Sequence, residues 1–182
     1  LDAIFTIVAT ASSGLYPEQA VATMVKIASR AEQAIEFSRE NPTHPVNTIT
    51  DSISHATFAI ARDLQVKAII TSTKTGSTAR AVAKYRPKVP IIAATSNKKV
   101  LKTLQIVRGV IPIEVESTTS TDEMFAKAIE GSLRSGYIQK GDLVVITAGV
   151  PVNASGTTNL IRVLVVGDVI LRGTGVGNRQ VN

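Results

Sequence analysis

The sequence contains no cysteine. This absence excludes a disulfide framework, a thiol nucleophile and a cysteine-ligated metal site, and it favours a cytoplasmic location. Tryptophan is also absent, and aromatic residues make up only 4% of the chain. Proteins that bind nucleic acid usually present aromatic stacking platforms or a run of basic residues. The net charge of +6 comes from scattered basic residues, so we expect no nucleic-acid partner.

Long apolar runs are missing as well. Apolar residues form 44% of the chain, but they come in short runs that polar residues interrupt. None approaches the roughly 18 residues that a membrane-spanning helix requires. We therefore expect no contact with a membrane.

Several catalytic and ligand-binding motifs are absent too. The chain has no P-loop, and its glycine-rich segment at residues 173–177 lacks the spacing of a dinucleotide-binding fingerprint. Its two histidines, His44 and His55, have no second ligand at zinc-binding spacing. The nucleophile elbow of the hydrolases does not occur either. The sequence therefore predicts neither catalytic residues nor a metal site.

A regular alternation of short apolar runs and helical patterns fills most of the chain. Strands are predicted at residues 67–71, 90–95, 110–115, 142–148 and 161–166, and helices at residues 49–64, 78–85, 98–106 and 122–133. Strands that alternate with helices over short links predict right-handed βαβ units and a mostly parallel sheet. The last strand follows its neighbour without an intervening helix, so we expect it to run antiparallel at an edge. The predicted fold class is α/β, with three α/β/α layers around a five-stranded sheet.

The two ends of the chain differ from this pattern. Residues 1–15 are apolar and small, which indicates a strand or a buried run. A strongly amphipathic helix is predicted at residues 17–37, with proline at its first position. Closely spaced prolines then make residues 41–48 the best candidate for a hinge between domains. The glycine-rich residues 171–182 are predicted to be a linker.

The segment at residues 72–78 is the strongest candidate for a ligand site. It places serine and threonine between an apolar strand and a helix, where hydroxyl groups and unpaired backbone N–H groups point toward one place. Such a place suits a phosphate group. Serine and threonine also cap helices for purely structural reasons, so these residues alone leave both interpretations open.

Two further links follow the carboxyl ends of predicted strands, where ligands bind in open α/β sheets. Residues 96–99 are interpreted chiefly as a helix N-cap. Residues 149–159 form a long segment of small residues. This segment either closes over a ligand or serves only as a connection.

Seven short motifs occur along the chain in a recognisable order. They are residues 15–21 (LYPEQAV), 73–79 (TKTGSTA), 85–87 (YRP), 90–93 (PIIA), 108–110 (RGV), 141–149 (GDLVVITAG) and 156–159 (GTTN). In order and spacing they closely resemble the C-terminal part of pyruvate kinase in a bacterial form. The resemblance covers about residues 14–178.

This resemblance implies a domain organisation and a parent activity. Residues 1–40 would be a remnant of a preceding barrel domain, although residues 1–13 depart from the family pattern, and residues 49–170 would be the C-terminal regulatory domain. Residues 171–182 would lead to a further C-terminal domain. The family transfers phosphate between phosphoenolpyruvate and ADP on its barrel, with Mg²⁺ and K⁺. Because the barrel's metal-binding acids and catalytic lysine have no counterpart here, we expect this fragment alone to be inactive and to hold no cofactor.

The resemblance also implies an effector site and an oligomer. The phosphate of an effector would be cradled by Thr73, Lys74, Thr75, Gly76, Ser77 and Thr78, and Ser155, Gly156 and Thr157 would close over its other side. The expected effector is AMP, ribose 5-phosphate or another sugar phosphate, and a monophosphate is favoured because the second loop lacks an obvious arginine or tryptophan. Family members are tetramers, so we expect a homo-oligomer that pairs through the last strand. The alternative is a stand-alone module that binds a phosphate ligand or oligomerises without a catalytic partner.

Overall fold

The computed structural model describes residues 16–34, 48–152 and 158–167. The helices in this part of the chain are α1 (Pro17–Ala34), α2 (Ile49–Asp63), α3 (Ser77–Ala83), α4 (Lys98–Leu104) and α5 (Thr121–Arg134). The strands are β1 (Ala68–Ser72), β2 (Ile91–Thr95), β3 (Val110–Glu114), β4 (Leu143–Ala148) and β5 (Leu160–Val165). Each element predicted within the described residues is confirmed, and the ends that can be compared differ by at most two residues.

Several predicted segments lie outside the described residues. These are the apolar segment at 1–15, the hinge at 41–47, the loop residues at 153–157 and the linker at 171–182. Helix α1 belongs to a unit separate from the sheet, and the division between the two units falls between Arg39 and Glu40. Pro17 occupies the first position of α1, where its missing N–H removes no hydrogen bond. On the same helix, Val21 and Val25 are exposed.

The sheet has the strand order β3-β2-β1-β4-β5. The pairs β1/β2, β1/β4 and β2/β3 are parallel, and β5 is antiparallel to β4 at one edge. The inner strands consist largely of buried isoleucine, valine and alanine, as expected for strands that are covered on both faces. The mostly parallel sheet with an antiparallel edge strand is therefore confirmed.

Helices cover both faces of the sheet, because alternate residues of a strand point to opposite sides. On one face, Ile69 of β1 packs in a core with Ala61 of α2 and Val82 of α3. On the other face, the neighbouring Ile70 packs in a second core with Phe125 of α5. The three layers predicted from the sequence are thus present.

The order of the strands changes direction at one place within the sheet. The chain proceeds from β1 outward to β2 and β3, and then returns to the opposite side of β1 as β4. The strand order therefore reverses between β1 and β4. Open α/β sheets bind ligands at such a reversal, beyond the carboxyl ends of the strands.

Candidate functional site

A cleft of about 80 Å³ opens at the carboxyl ends of β1, β2 and β3. Nine of its seventeen lining residues are serine or threonine, and three are charged, namely Lys74, Glu116 and Lys127. The volume is well below the roughly 300 Å³ of the smaller pockets that enclose drug-sized ligands. A small, polar ligand therefore fits this cleft best.

The loop between β1 and α3 forms one side of the cleft, and a glycine fixes its path. Gly76 has a φ of 84°, in the left-handed region that glycine adopts without steric cost. A Cβ atom at this position would lie 3.2 Å from both Val100 Cγ1 and Leu104 Cδ2 of α4. The turn therefore favours glycine here, and a larger residue would require Val100 and Leu104 to shift slightly.

The hydroxyl groups of this loop fall into two classes. The buried Thr73 Oγ1 accepts a hydrogen bond from the Gly76 N–H at 2.9 Å and so holds the turn together. Thr75 and Ser77 are exposed, and the Thr75 hydroxyl donates to Ser77 Oγ at 3.0 Å. The N-cap position of α3 is Gly76, which makes no side-chain cap hydrogen bond. The Thr75 Oγ1 atom also accepts from the N–H of Ser77, the first residue of α3, at 3.4 Å, so this hydroxyl partly serves the start of the helix.

Lys74 supplies a positive charge beside these hydroxyls. Its side chain is exposed and lines the cleft. No carboxylate of the described residues lies within ion-pair distance of its ammonium group. The charge of Lys74 is therefore available to an anionic ligand.

A second loop follows β4, and its far end is anchored beside α3. The buried Thr158 lies with its Oγ1 atom 2.9 Å from Thr78 Oγ1 of α3. The Thr158 N–H donates to Thr50 Oγ1 of α2 at 3.3 Å. The predicted loop residues Ser155, Gly156 and Thr157 lie outside the described residues, and these two hydrogen bonds place the residue that follows them against α3 and α2.

The base of the second loop is closed by an asparagine. The Asn159 Oδ1 atom accepts from the Val150 N–H at 2.9 Å, and the Asn159 Nδ2 group donates to the Val150 carbonyl at 2.7 Å. Gly149 and Val152 of this loop line the cleft. The loop thus starts at the cleft, and Asn159 at its far end is bonded back to Val150 at its start.

An ion pair contributes the remaining charges of the cleft. The Nζ atom of Lys127, on α5, lies 2.8 Å from Oε2 of Glu116, which follows β3. The hydrogen bond and the positive charge of Lys127 lower the pKa of Glu116, and the same hydrogen bond raises the pKa of Lys127. Both groups therefore stay charged near neutral pH, and they neutralise each other.

This arrangement is suited to binding an oxyanion. Neutral hydroxyl donors next to an available lysine match a phosphate group, which accepts several hydrogen bonds and carries negative charge. Such binding requires no proton transfer and no covalent step.

The predicted loop residues come together as expected from their sequence order. Thr73, Lys74, Thr75, Ser77 and Thr78 all line the cleft. Gly76 shapes the turn that presents them. Their contact with a ligand remains a prediction.

The link after β2 serves mainly as a helix cap. Asn97 Oδ1 accepts from the Lys99 N–H at 2.9 Å, so the N-cap interpretation is confirmed. Ser96, just before it, lines the cleft. This link therefore has a part that caps α4 and a part that lines the cleft.

The sequence interpretation missed the link after β3. Glu116, Ser117 and Thr118 line the cleft, and so does Lys127 from α5. A signal was present, because serine and threonine follow the predicted strand at 110–115 in the same manner as at residues 72–78. That similarity would have identified this link as a third side of the site.

Acidic and histidine side chains are dispersed over the described part of the chain. Within residues 16–34, 48–152 and 158–167, no three of them lie together as metal ligands would. None of the helices in these ranges is long and apolar enough to cross a membrane.

Several known proteins resemble this chain. The family model "Pyruvate kinase, alpha/beta domain" matches residues 51–164. The chain is 48% identical to the pyruvate kinase of Clostridium acetobutylicum over 158 residues, which cover 85% of this chain and 33% of that protein. It is 45% identical to the pyruvate kinase of Geobacillus stearothermophilus and 44% identical to that of Bacillus licheniformis, over 172 residues and 93% of this chain in both cases. Each of these two alignments covers 29% of the relative.

The chain thus spans about a third of the length of the curated relatives it matches. The matched residues 51–164 run from α2 to β5 and include the sheet and both of its helical layers. These matches confirm the resemblance that the seven motifs indicate. The chain belongs to the pyruvate kinase family, and its five-stranded sheet with the flanking helices is the α/β domain of that family.

Proposed function

We propose that this chain is the regulatory domain of a pyruvate kinase and that its cleft binds a phosphorylated small molecule. The observation that carries the proposal is the exposed Lys74 beside the exposed hydroxyls of Thr75 and Ser77, in a cleft where the strand order reverses. In this proposal the Thr75 hydroxyl turns from Ser77 Oγ to the ligand, so that both hydroxyls donate to a phosphate and the ammonium group attracts it. The ligand in this proposal is AMP, ribose 5-phosphate or another sugar phosphate.

The proposed role is regulatory because the ligand is bound and released unchanged. In this proposal residues 155–157 close over the ligand from the side opposite Lys74. Thr158, which follows them, is hydrogen-bonded to α3 through Thr78 and to α2 through Thr50. A ligand that favours one arrangement of this loop therefore acts on both helices, and binding shifts the populations of their conformations.

Isothermal titration calorimetry of the 182-residue chain tests the ligand site. The titrants are AMP, ribose 5-phosphate, glucose 6-phosphate and fructose 1,6-bisphosphate. We expect at least one of them to bind the unaltered chain. Affinity for it falls about tenfold or more in the double variant Thr75→Ala with Ser77→Ala, because hydrogen bonds to a charged group contribute about 1.5–3 kcal/mol each.

The matched control is Ser52→Ala, which removes an exposed hydroxyl from α2 at a position that does not line the cleft. This variant should keep the affinity of the unaltered chain. Equal affinity in the double variant and in the unaltered chain would remove residues 75 and 77 from the site. No binding of any of the four phosphates would contradict the proposed function itself.

Phosphoryl transfer is proposed for the longer, cytoplasmic protein to which a domain of this kind belongs. There phosphoenolpyruvate and ADP would give pyruvate and ATP with Mg²⁺ and K⁺. The described residues offer no group of three acidic or histidine side chains for such a metal, so no step of the transfer is assigned to them. We expect the purified chain to form no pyruvate in a coupled assay, and robust turnover would contradict this.

Self-association is proposed to occur through β5. This strand is an edge of the sheet, and Val163 on it is 39% exposed. The opposite edge strand, β3, contains Pro112, whose missing N–H discourages pairing with another strand. Two copies that meet edge to edge at β5 would be related by a two-fold axis.

A further inference from the structure

The cleft has two differently charged parts. At the loop after β1, Lys74 has no carboxylate partner among the described residues. At the link after β3, the Lys127 ammonium group is already bonded to the Glu116 carboxylate at 2.8 Å. The cleft therefore offers one available positive charge together with a neutral ion pair.

We infer that Glu116, held in place by Lys127, is a specificity-determining residue that admits ligands with one phosphate and disfavours ligands with two. The inference rests on the proposed function, because it concerns the ligand of the same cleft. One phosphate is satisfied by Lys74 and the hydroxyls of Thr75 and Ser77. The rest of the ligand then faces the ion pair, whose carboxylate accepts hydrogen bonds from sugar hydroxyl groups but which has no uncompensated positive charge for a second phosphate.

Lys127 gives a second phosphate no net attraction, because its charge is balanced by that of Glu116. The ammonium group has three N–H donors, but a second phosphate that used one of them would lie beside the Glu116 carboxylate, which already holds a charge-assisted hydrogen bond to the same group. The lowered pKa of Glu116 keeps the carboxylate ionised while a ligand approaches. Ser117 and Thr118, next to Glu116, line the cleft with neutral hydroxyls, and these suit a sugar hydroxyl group.

The test compares fructose 6-phosphate with fructose 1,6-bisphosphate, which differ by a single phosphate group. Dissociation constants of both are measured calorimetrically for the unaltered 182-residue chain and for Glu116→Gln. The unaltered chain should bind the monophosphate more tightly. In Glu116→Gln the affinity ratio should shift by about fivefold to tenfold toward the bisphosphate, as removal of one nearby like charge predicts. Because 84% of the Glu116 side chain is exposed, the preference should weaken as the salt concentration rises.

Glu114→Gln is the matched control. Glu114 also lies at the end of β3 and is paired with a lysine, Lys98, at 3.9 Å, but it does not line the cleft. This variant should keep the ratio of the unaltered chain, and circular dichroism checks that each variant is folded. An identical ratio in the unaltered chain and in Glu116→Gln, with measurable binding, would overturn the inference and leave the proposed function standing. Absence of binding by both sugars and by inorganic phosphate would overturn both.

Discussion

Thr78 of α3 and Thr158, which are separated by 80 positions in the sequence, share a buried hydrogen bond with 2.9 Å between their Oγ1 atoms. Replacement of either residue by valine keeps the shape of the side chain but leaves the other hydroxyl buried without a partner. We expect each single variant to lose about 1–2 kcal/mol in the free energy of unfolding. The double variant should lose less than the sum of the two, because no orphaned hydroxyl remains. Urea unfolding of all four proteins measures this coupling.

The expected coupling between Thr78 and Thr158 is about 1 kcal/mol, since contacting residues are not additive. The dependence of the unfolding free energy on urea should be unchanged, which shows that the same surface is exposed on unfolding. Strictly additive losses would show that the two hydroxyls do not interact.

A comparison of alanine variants at Gly76 and Gly136 measures the cost of crowding in the turn before α3. Both have positive φ values, 84° and 77°. A Cβ atom at Gly76 would press on Val100 and Leu104, whereas nothing lies within 4 Å of one at Gly136. We expect Gly136→Ala to cost about 1 kcal/mol for the left-handed backbone alone and Gly76→Ala about 2–3 kcal/mol, because packing strain is added. Thermal and urea unfolding report both values, and equal losses would contradict the crowding at Gly76.

The ion pair of Glu116 and Lys127 should make the stability of the domain depend on pH. The pKa of Glu116 is lowered by the hydrogen bond and charge of Lys127, so its contribution to stability is present above the ordinary value of 4.5 and is lost as the pH falls through the folded value. The pKa of Lys127 is raised by the same bond, so that contribution is lost only as the pH rises through the folded value. An NMR titration should show the Glu116 pKa rising in Lys127→Met. An unchanged Glu116 pKa in this variant would show that the pair is not formed in solution.

Self-association through β5 can be tested with a single charge. Val163→Lys places an ammonium group on the exposed side of the edge strand, where charged residues oppose strand pairing. We expect the unaltered chain to sediment as an oligomer at high concentration and this variant to sediment as a monomer. Ile106→Lys is the control, because Ile106 is 88% exposed and lies between α4 and β3 rather than on β5. A monomeric unaltered chain, or an oligomeric Val163→Lys, would contradict the proposed interface.

The bounds of the elements could be predicted closely because apolar spacing reports burial against a sheet. The largest differences occur at the ends of the short helices. Helix α3 was predicted to extend to Tyr85, but it ends at Ala83. The Tyr85 ring stacks on Phe58 of α2, with 5.9 Å between the ring centroids, and Arg86 adopts a φ of 49°. The spacing of apolar residues predicts neither this ring stacking nor this backbone conformation.

The residues of the cleft could be predicted only where they are contiguous in the sequence. Residues 73–78 form one short segment, so their hydroxyl-rich composition is visible in the sequence. Glu116 and Lys127 come to the same cleft from other parts of the fold. Glu116 follows β3, which lies two strands away from β1, and Lys127 is on α5, which packs on the opposite face from α3. Their charges cancel through a contact that charge counting along the chain does not reveal.

The antiparallel direction of β5 has a practical consequence for experiments on this domain. Leu160 at its start pairs with Ala148 beside the cleft, and Val165 at its end pairs with Leu143 at the opposite end of β4. A strand of this length carries the chain about 20 Å along the strand direction, away from the cleft. A fluorescent protein joined after residue 167 would therefore be attached at the end of the sheet opposite the cleft.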